Sequence, residues 1–240
     1  MTCPLCSGVG REIEVARHYM DDPLYTCNTC GLVHADRRAP EAWVEWPENY
    51  NPTWPAARAR QVYVAEFLKQ HNLLSDVFDI SMGDGFFLDE CERRGTKTSG
   101  TNETITEDFD ADHHEVVCVN WTLENTADPV GMLKWARDHG DYVCIATGSR
   151  ILVPFKKPLW AYLDKSPTHL HPNHFSVSTL SRALYEAELY PVEFNRYVDT
   201  DHLVVIAKVT GMKYPTWDRP DDVIDFFERW HEDTKCYARG

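Results

Sequence analysis

The spacing of apolar positions changes along this chain. From Ala57 to Leu74, Val62, Val64, Ala65, Phe67, Leu68 and Leu73 recur at helical spacing and predict an amphipathic helix. Beyond it, short apolar runs alternate with helical stretches. Asp76–Ile80, Lys97–Thr101, Glu115–Asn120 (EVVCVN) and Asp141–Ala146 (DYVCIA) predict strands, the last two buried on both faces. Phe86–Arg94, Pro129–His139 (stopped by Gly140) and Ser178–Ala187, with Ser178 as its cap, predict the intervening helices. Val192–Val198 and His202–Val209 predict a hairpin, and Pro220–Glu232 a final amphipathic helix. Strands alternating with helices imply an α/β fold with a largely parallel sheet covered on both faces.

The first 56 residues lack this rhythm. Cys3, Cys6, Cys27 and Cys30 form a C-x2-C-x20-C-x2-C array, the spacing of two knuckles that converge on one zinc ion; two redox C-x-x-C pairs are the alternative. Four thiolates leave no open coordination position, so the metal is expected to be structural. Residues 35–56 carry four prolines and three tryptophans without a period and predict an irregular connector. The expected organisation is a zinc module over 1–34, a connector over 35–56, an α/β domain over 57–210 and a helical extension over 211–240.

With 43% hydrophobic and 26% charged residues, the composition is that of a soluble globular protein. No apolar run approaches the roughly 20 residues needed to span a bilayer, and no basic-then-apolar leader precedes Cys3. Cys91, Cys118, Cys144 and Cys236 are scattered, which argues against a disulfide framework and for a reducing cytoplasm. Twenty-four basic against 38 acidic residues give a net charge of −14, which disfavours a grip on nucleic acid even though zinc ribbons often bind it. The charge says nothing of oligomeric state.

Candidate chemistry gathers at the turn after the first α/β strand, Asp79-Ile80-Ser81-Met82-Gly83-Asp84-Gly85. Two glycines there let backbone approach a ligand at the carboxyl end of a parallel strand. A second candidate is THLHPNHFS, where His169, His171 and His174 cluster in one loop. Imidazole suits proton removal near neutral pH; a metal held by H-x-x-H, for which no third ligand is in view, and a structural role in capping the next helix or bonding the loop are the alternatives. His113 and His114 precede a strand and read as loop residues.

Three stretches resemble the class I S-adenosylmethionine-dependent methyltransferases that carry an N-terminal zinc-binding domain, a group that includes sugar C-methyltransferases. DISMGDGFFL is similar to the D-x-G-x-G-x-G motif, with Ser81 in place of the first glycine. HEVVCVNWTLENTADP is similar to the fourth-strand motif, with Asn125 where histidine is common. HPNHFSVSTLSRALYEAEL is similar to the H-x-x-H-F-S-x-x-T-L segment. The resemblance implies S-adenosylmethionine as methyl donor and a small-molecule acceptor such as a nucleotide-linked sugar. It implies donor contacts from Asp79, Ser81, Met82, Gly83 and Gly85, with Asn120 and Trp121 at the methionine and adenine. Asn102, or Glu103 beside it, takes the place of the acid that grips the ribose. His171 falls on the family's first histidine and is the implied base, with His174, Glu124 and Tyr50 as further catalytic candidates.

The resemblance implies a Rossmann-like methyltransferase sheet, but only about a dozen residues separate the second strand from Glu115. A parallel crossover through a helix needs that many alone, whereas twelve extended residues reach roughly 40 Å. A six-stranded sheet lacking the third strand is therefore expected. A fold of this kind that binds without catalysis remains the alternative function.

Overall fold

A computed structural model of the chain describes residues 1–20, 23–35, 55–106, 109–148, 158–163, 171–196, 202–212 and 217–236. Tyr50 and His169, and nearly all of the expected connector, lie outside these residues.

The central sheet has six strands in the order β5-β4-β6-β7-β10-β9 among the described residues. They are β4 (Asp76–Asp79), β5 (Lys97–Gly100), β6 (His114–Asn120), β7 (Gly140–Gly148), β9 (Tyr190–Phe194) and β10 (His202–Lys208). β4, β5, β6 and β7 run parallel, while β10 lies antiparallel between β7 and β9. Alternate residues face opposite sides, as a pleat requires. Phe78, Val117, Val119, Val143 and Ile145 meet one helical layer, α3 (Pro129–His139) and α5 (Val177–Glu186). Val77, Val116, Cys118, Cys144 and Ala146 meet the other, α1 (Pro55–Gln70) and α2 (Phe86–Glu92). Both faces of β6 and β7 are thus buried, as their unbroken apolar runs predict.

Local signals fix several boundaries. Asp128 caps α3 by accepting from Gly131 N at 2.8 Å, with Pro129 at the first turn. The cap of α5 is Ser176, correcting the expected Ser178. Thr179 supplies the reciprocal bond of a capping box, its Oγ1 accepting from Ser176 N at 2.8 Å, and this second contact decides between two nearby serines.

The cysteine-bearing module is a second sheet: β1 (Gly10–Glu12), β2 (Leu24–Cys27), β3 (Val33–Ala35) and β8 (Asn173–His174). β1 and β2 pair antiparallel, joining the two knuckles. The fourth strand comes from the histidine loop, with Val33 opposite His174 and His34 opposite Asn173. A 3-10 turn at Glu14–His18, α4 (Leu159–Leu163) and α6 (Pro220–Thr234) cover its far side. There Ile13, Leu24 and Val33 pack with Leu159, Leu163, Phe227 and Trp230. The near side is continuous with the main core, because Cys3, Leu5, Cys27, Cys30 and Leu32 share a cluster with Leu180, Leu184 and Leu203. The C-terminal helix therefore packs on the N-terminal module.

Candidate active site and metal centre

The two knuckles repeat one backbone pattern. Ser7 N donates to Cys3 O at 3.0 Å and Gly31 N to Cys27 O at 2.9 Å, while Cys3 N reaches Gly8 O and Cys27 N reaches Leu32 O, both at 2.9 Å. The residue after each knuckle adopts a left-handed backbone, Ser7 at φ 57° and Gly31 at φ 72°. The four Sγ atoms lie within 4.8 Å of one another, with Cys3–Cys30 at 3.7 Å and Cys6–Cys27 at 3.5 Å. A tetrahedron with Zn–S bonds of about 2.3 Å has edges of about 3.8 Å, so these residues fit a zinc ion. A hydrogen bond with Cys27, added to burial, pushes the Cys3 thiol up to about 12. Metal uptake therefore has to release protons.

The glycine turn sits at the carboxyl end of β4, where the chain order reverses between β4 and β6. Gly83 (φ 57°) and Gly85 (φ 82°) are left-handed, and a Cβ on either would meet no atom of the described residues within 4 Å. The turn thus presents bare backbone to open space. It is held from three directions. Met82 N donates to Thr101 O at 3.2 Å. Asn102 pairs with Gly83 through both amide atoms, accepting from N at 2.8 Å and donating to O at 2.9 Å. From α1, Arg58 grips both oxygens of Asp84 and lies 4.0 Å over the Phe86 ring. Asn102 is therefore committed to shaping the turn. Glu103 beside it is exposed.

Asp79 ends β4 at 1% exposure. Ser81 N faces its Oδ1 at 3.4 Å, the long end of hydrogen bonding. Burial pushes its carboxyl up to about 7, against the smaller opposing pulls of Ser81 N–H and the neighbouring Asn120 amide. Asn120, at the end of adjacent β6, is 5% exposed, and neither of its amide atoms makes a hydrogen bond of good geometry. A buried carboxyl and a weakly bonded buried amide, next to the glycine turn, suit a ligand bearing both positive charge and polar groups.

After β6 the chain turns sharply. Trp121 is left-handed at φ 50°, its N–H donating to Ala146 O at 2.7 Å and its indole Nε1 to His202 Nδ1 at 3.1 Å. Glu124 is buried, and burial pushes its carboxyl up to about 7 while Thr147 Oγ1 donates to it at 2.8 Å. Its backbone oxygen accepts from Asn173 N at 3.1 Å, and Asn173 Nδ2 donates to Thr126 O at 2.8 Å. These bonds pin the histidine loop to the end of β6.

His171 is half-buried, its Nδ1 2.5 Å from Asn125 Oδ1. His174 is buried in β8, its Nδ1 against the Tyr162 hydroxyl. The fold thus brings His171, Asn125, Glu124, Trp121 and Asn120 to one strand end. Asn120 and Asp79 sit on neighbouring strands there. Sequence reasoning missed Asp218, whose N–H donates to Cys30 O at 3.3 Å and whose Oδ2 accepts from Ser176 Oγ at 2.6 Å. It joins the second knuckle to the cap of α5, and no motif around it signals that role.

No family model and no curated protein matches the sequence. Solved structures do match. The CcbJ methyltransferase from Streptomyces caelestis superposes with a TM-score of 0.51 at 10% identity, over 69% of this chain and 100% of that one. The magnesium protoporphyrin IX methyltransferase of Synechocystis PCC 6803, with bound SAH, gives 0.46 at 9% identity over 65% and 85%. The 1,6-didemethyltoxoflavin-N1-methyltransferase of Burkholderia thailandensis, with bound 1,6-didemethyltoxoflavin and S-adenosylhomocysteine, gives 0.45 at 15% over 65% and 80%. The likeness to CcbJ is one of fold. Central α/β sheet, parallel strands and flanking helical layers together make this a Rossmann-like methyltransferase fold.

Proposed function

We propose that the chain is an S-adenosylmethionine-dependent methyltransferase acting on a small-molecule acceptor, with a nucleotide-linked sugar as the first class to test. The observation that carries this reading is the buried Asp79 carboxyl beside the Asn120 amide, which makes no hydrogen bond of good geometry among the described residues, next to the Gly83–Gly85 backbone at the sheet's switch point. The bound donor supplies a methyl group on a sulfonium centre. Asp79, once ionised, meets its positive charge, and the Asn120 amide offers it one donor and one acceptor. The glycine turn admits it without a side chain in the way. With Asn102 engaged by Gly83, a ribose contact falls to Glu103. Among the described residues β5 forms the edge of the sheet, the arrangement of such a sheet without a third strand, which leaves the adenine side more open than usual. His171 takes the acceptor's proton, and Glu124 holds the loop that carries it. The four cysteines hold a structural zinc.

Calorimetry with S-adenosylhomocysteine tests donor binding, and transfer to a panel of nucleotide-linked sugars, read as methylated product by mass, tests the reaction. His171→Ala should leave binding and thermal stability nearly unchanged and cut transfer by roughly 10²-fold or more. No binding at millimolar ligand would instead favour a non-catalytic protein of the same fold. Lowered stability in His171→Ala, with transfer falling only in proportion to folded protein, would reduce His171 to a structural residue.

A further inference from the structure

Asn125 stands where the sequence departs from its resemblance, and the fold gives it a defined task. Its backbone is fixed in a turn by its N–H donating to Thr122 O at 2.9 Å. Its Nδ2 lies 3.1 Å from the Trp121 carbonyl oxygen, and its Oδ1 lies 2.5 Å from His171 Nδ1. A carbonyl oxygen accepts and cannot donate, so only the NH2 end of the amide can face Trp121. That choice leaves Oδ1, again purely an acceptor, against the imidazole. His171 Nδ1 must then carry the proton, and in the neutral ring the lone pair falls on Nε2.

The carbonyl that sets this chain of choices is itself locked. Trp121 is held in its left-handed conformation by bonds to β7 through Ala146 and to His202 at the start of β10. A large side chain at positive φ persists where surrounding contacts over-determine it. Three strand ends therefore aim one amide.

We propose that Asn125 is a positioning residue that fixes the tautomer and orientation of His171, making Nε2 the atom that accepts the proton from the methyl acceptor. Its value for proton transfer rests on His171 acting as the base. The N–H bond at Nδ1 stays intact and the Nε2 lone pair takes the acceptor's proton; the electron pair so freed would form the new bond to the methyl carbon as the methyl–sulfur bond breaks, its pair returning to sulfur to leave S-adenosylhomocysteine. A neutral amide gives this orientation without adding a charge beside the ring, unlike a carboxylate at the same position.

The test uses the full-length, zinc-loaded chain with 15N-labelled histidine, read by long-range proton–nitrogen correlation at roughly pH 8.5, about two units above the ordinary imidazole value. His171 in the parent should be the Nδ1–H form by about tenfold or more, the scale set by one hydrogen bond. Asn125→Leu, which lacks both bonds, should lose that preference. Asn125→Asp, which still accepts from Nδ1–H, should keep it. An Nε2–H form in the parent would overturn the proposal, and so would a tautomer ratio in Asn125→Leu equal to the parent's. The parent spectrum decides even if a variant fails to fold. Full methyl transfer by His171→Ala would refute the base reading by itself, a separate outcome from a wrong tautomer.

Discussion

Replacing Asp79 with asparagine should make the protein more stable and a poorer binder, with a particular dependence on pH. The carboxyl is fully buried, and burial raises it from 3.8 to about 7. Between those values the folded chain holds a proton that the unfolded chain has released. Unfolding free energy attributable to this group is therefore highest below about pH 4, falls as pH rises, and levels off above about 7. About three units at 1.36 kcal/mol each give a full cost of about 4 kcal/mol. Half of that, about 2 kcal/mol, accrues between pH 5.5 and 8.5. Asp79→Asn keeps the shape and removes the titration. Urea midpoints of parent and variant, compared at those two pH values with zinc bound, should show the variant's advantage widening by about 2 kcal/mol as pH rises. Taking the difference between the two proteins cancels Glu124 and the histidines, which both share. A cationic ligand needs the ionised form, so S-adenosylmethionine, whose sulfonium carries the charge, should bind the parent about tenfold more weakly at pH 6 than at 7.5. The variant should lose that dependence. A stability gap that stays constant with pH would refute the burial-driven shift, and pH-independent binding by the parent would remove Asp79 from the ligand's contacts.

One zinc per chain should copurify, and Cys27→Ser should release it; elemental analysis finding no metal without chelators would contradict the four-thiolate centre. Gly31→Ala should cost more than about 1 kcal/mol, because its Cβ would fall 2.3 Å from Asp218 O at a φ of 72°. Ser7→Gly, at the matching place in the first knuckle, should be neutral or mildly stabilising, and thermal melts compare the two. Gly83→Ala should cost about 1 kcal/mol through its backbone alone, since the added Cβ meets no atom of the described residues, yet weaken S-adenosylhomocysteine binding at least tenfold by calorimetry.

Much of the sheet is legible because its signals are local. Asp128 and Pro129 start α3 and Gly140 stops it at the expected residue, and EVVCVN can only be a strand buried on both faces. The cysteine spacing likewise specifies its geometry before any folding is known. The histidine loop stands out in the sequence by composition but is illegible as structure. Asn173 and His174 form too short a strand to show a period, and their partner is Val33–His34 in another part of the sequence. Asn102 reads as a substitute for a ribose-binding acid because its bidentate bond to Gly83 exists only after β4 and β5 pair. Asn125 reads as a loss for the same reason: its partner His171 is far off in sequence.

The strand shared by the cysteine module and the histidine loop bears on the order of synthesis. All four cysteines precede the central sheet in the sequence, so metal can close the knuckles before that sheet is made. The edge of β3 stays unpaired until Asn173 and His174 are made, and Cys30 O waits longer still for Asp218. Pairing so distant in sequence closes slowly. A three-residue edge offers little template for wrong partners during that wait. The cysteine module, made before the central sheet, is thus completed only after it, and a nascent chain halted before residue 173 would carry its metal on an open sheet.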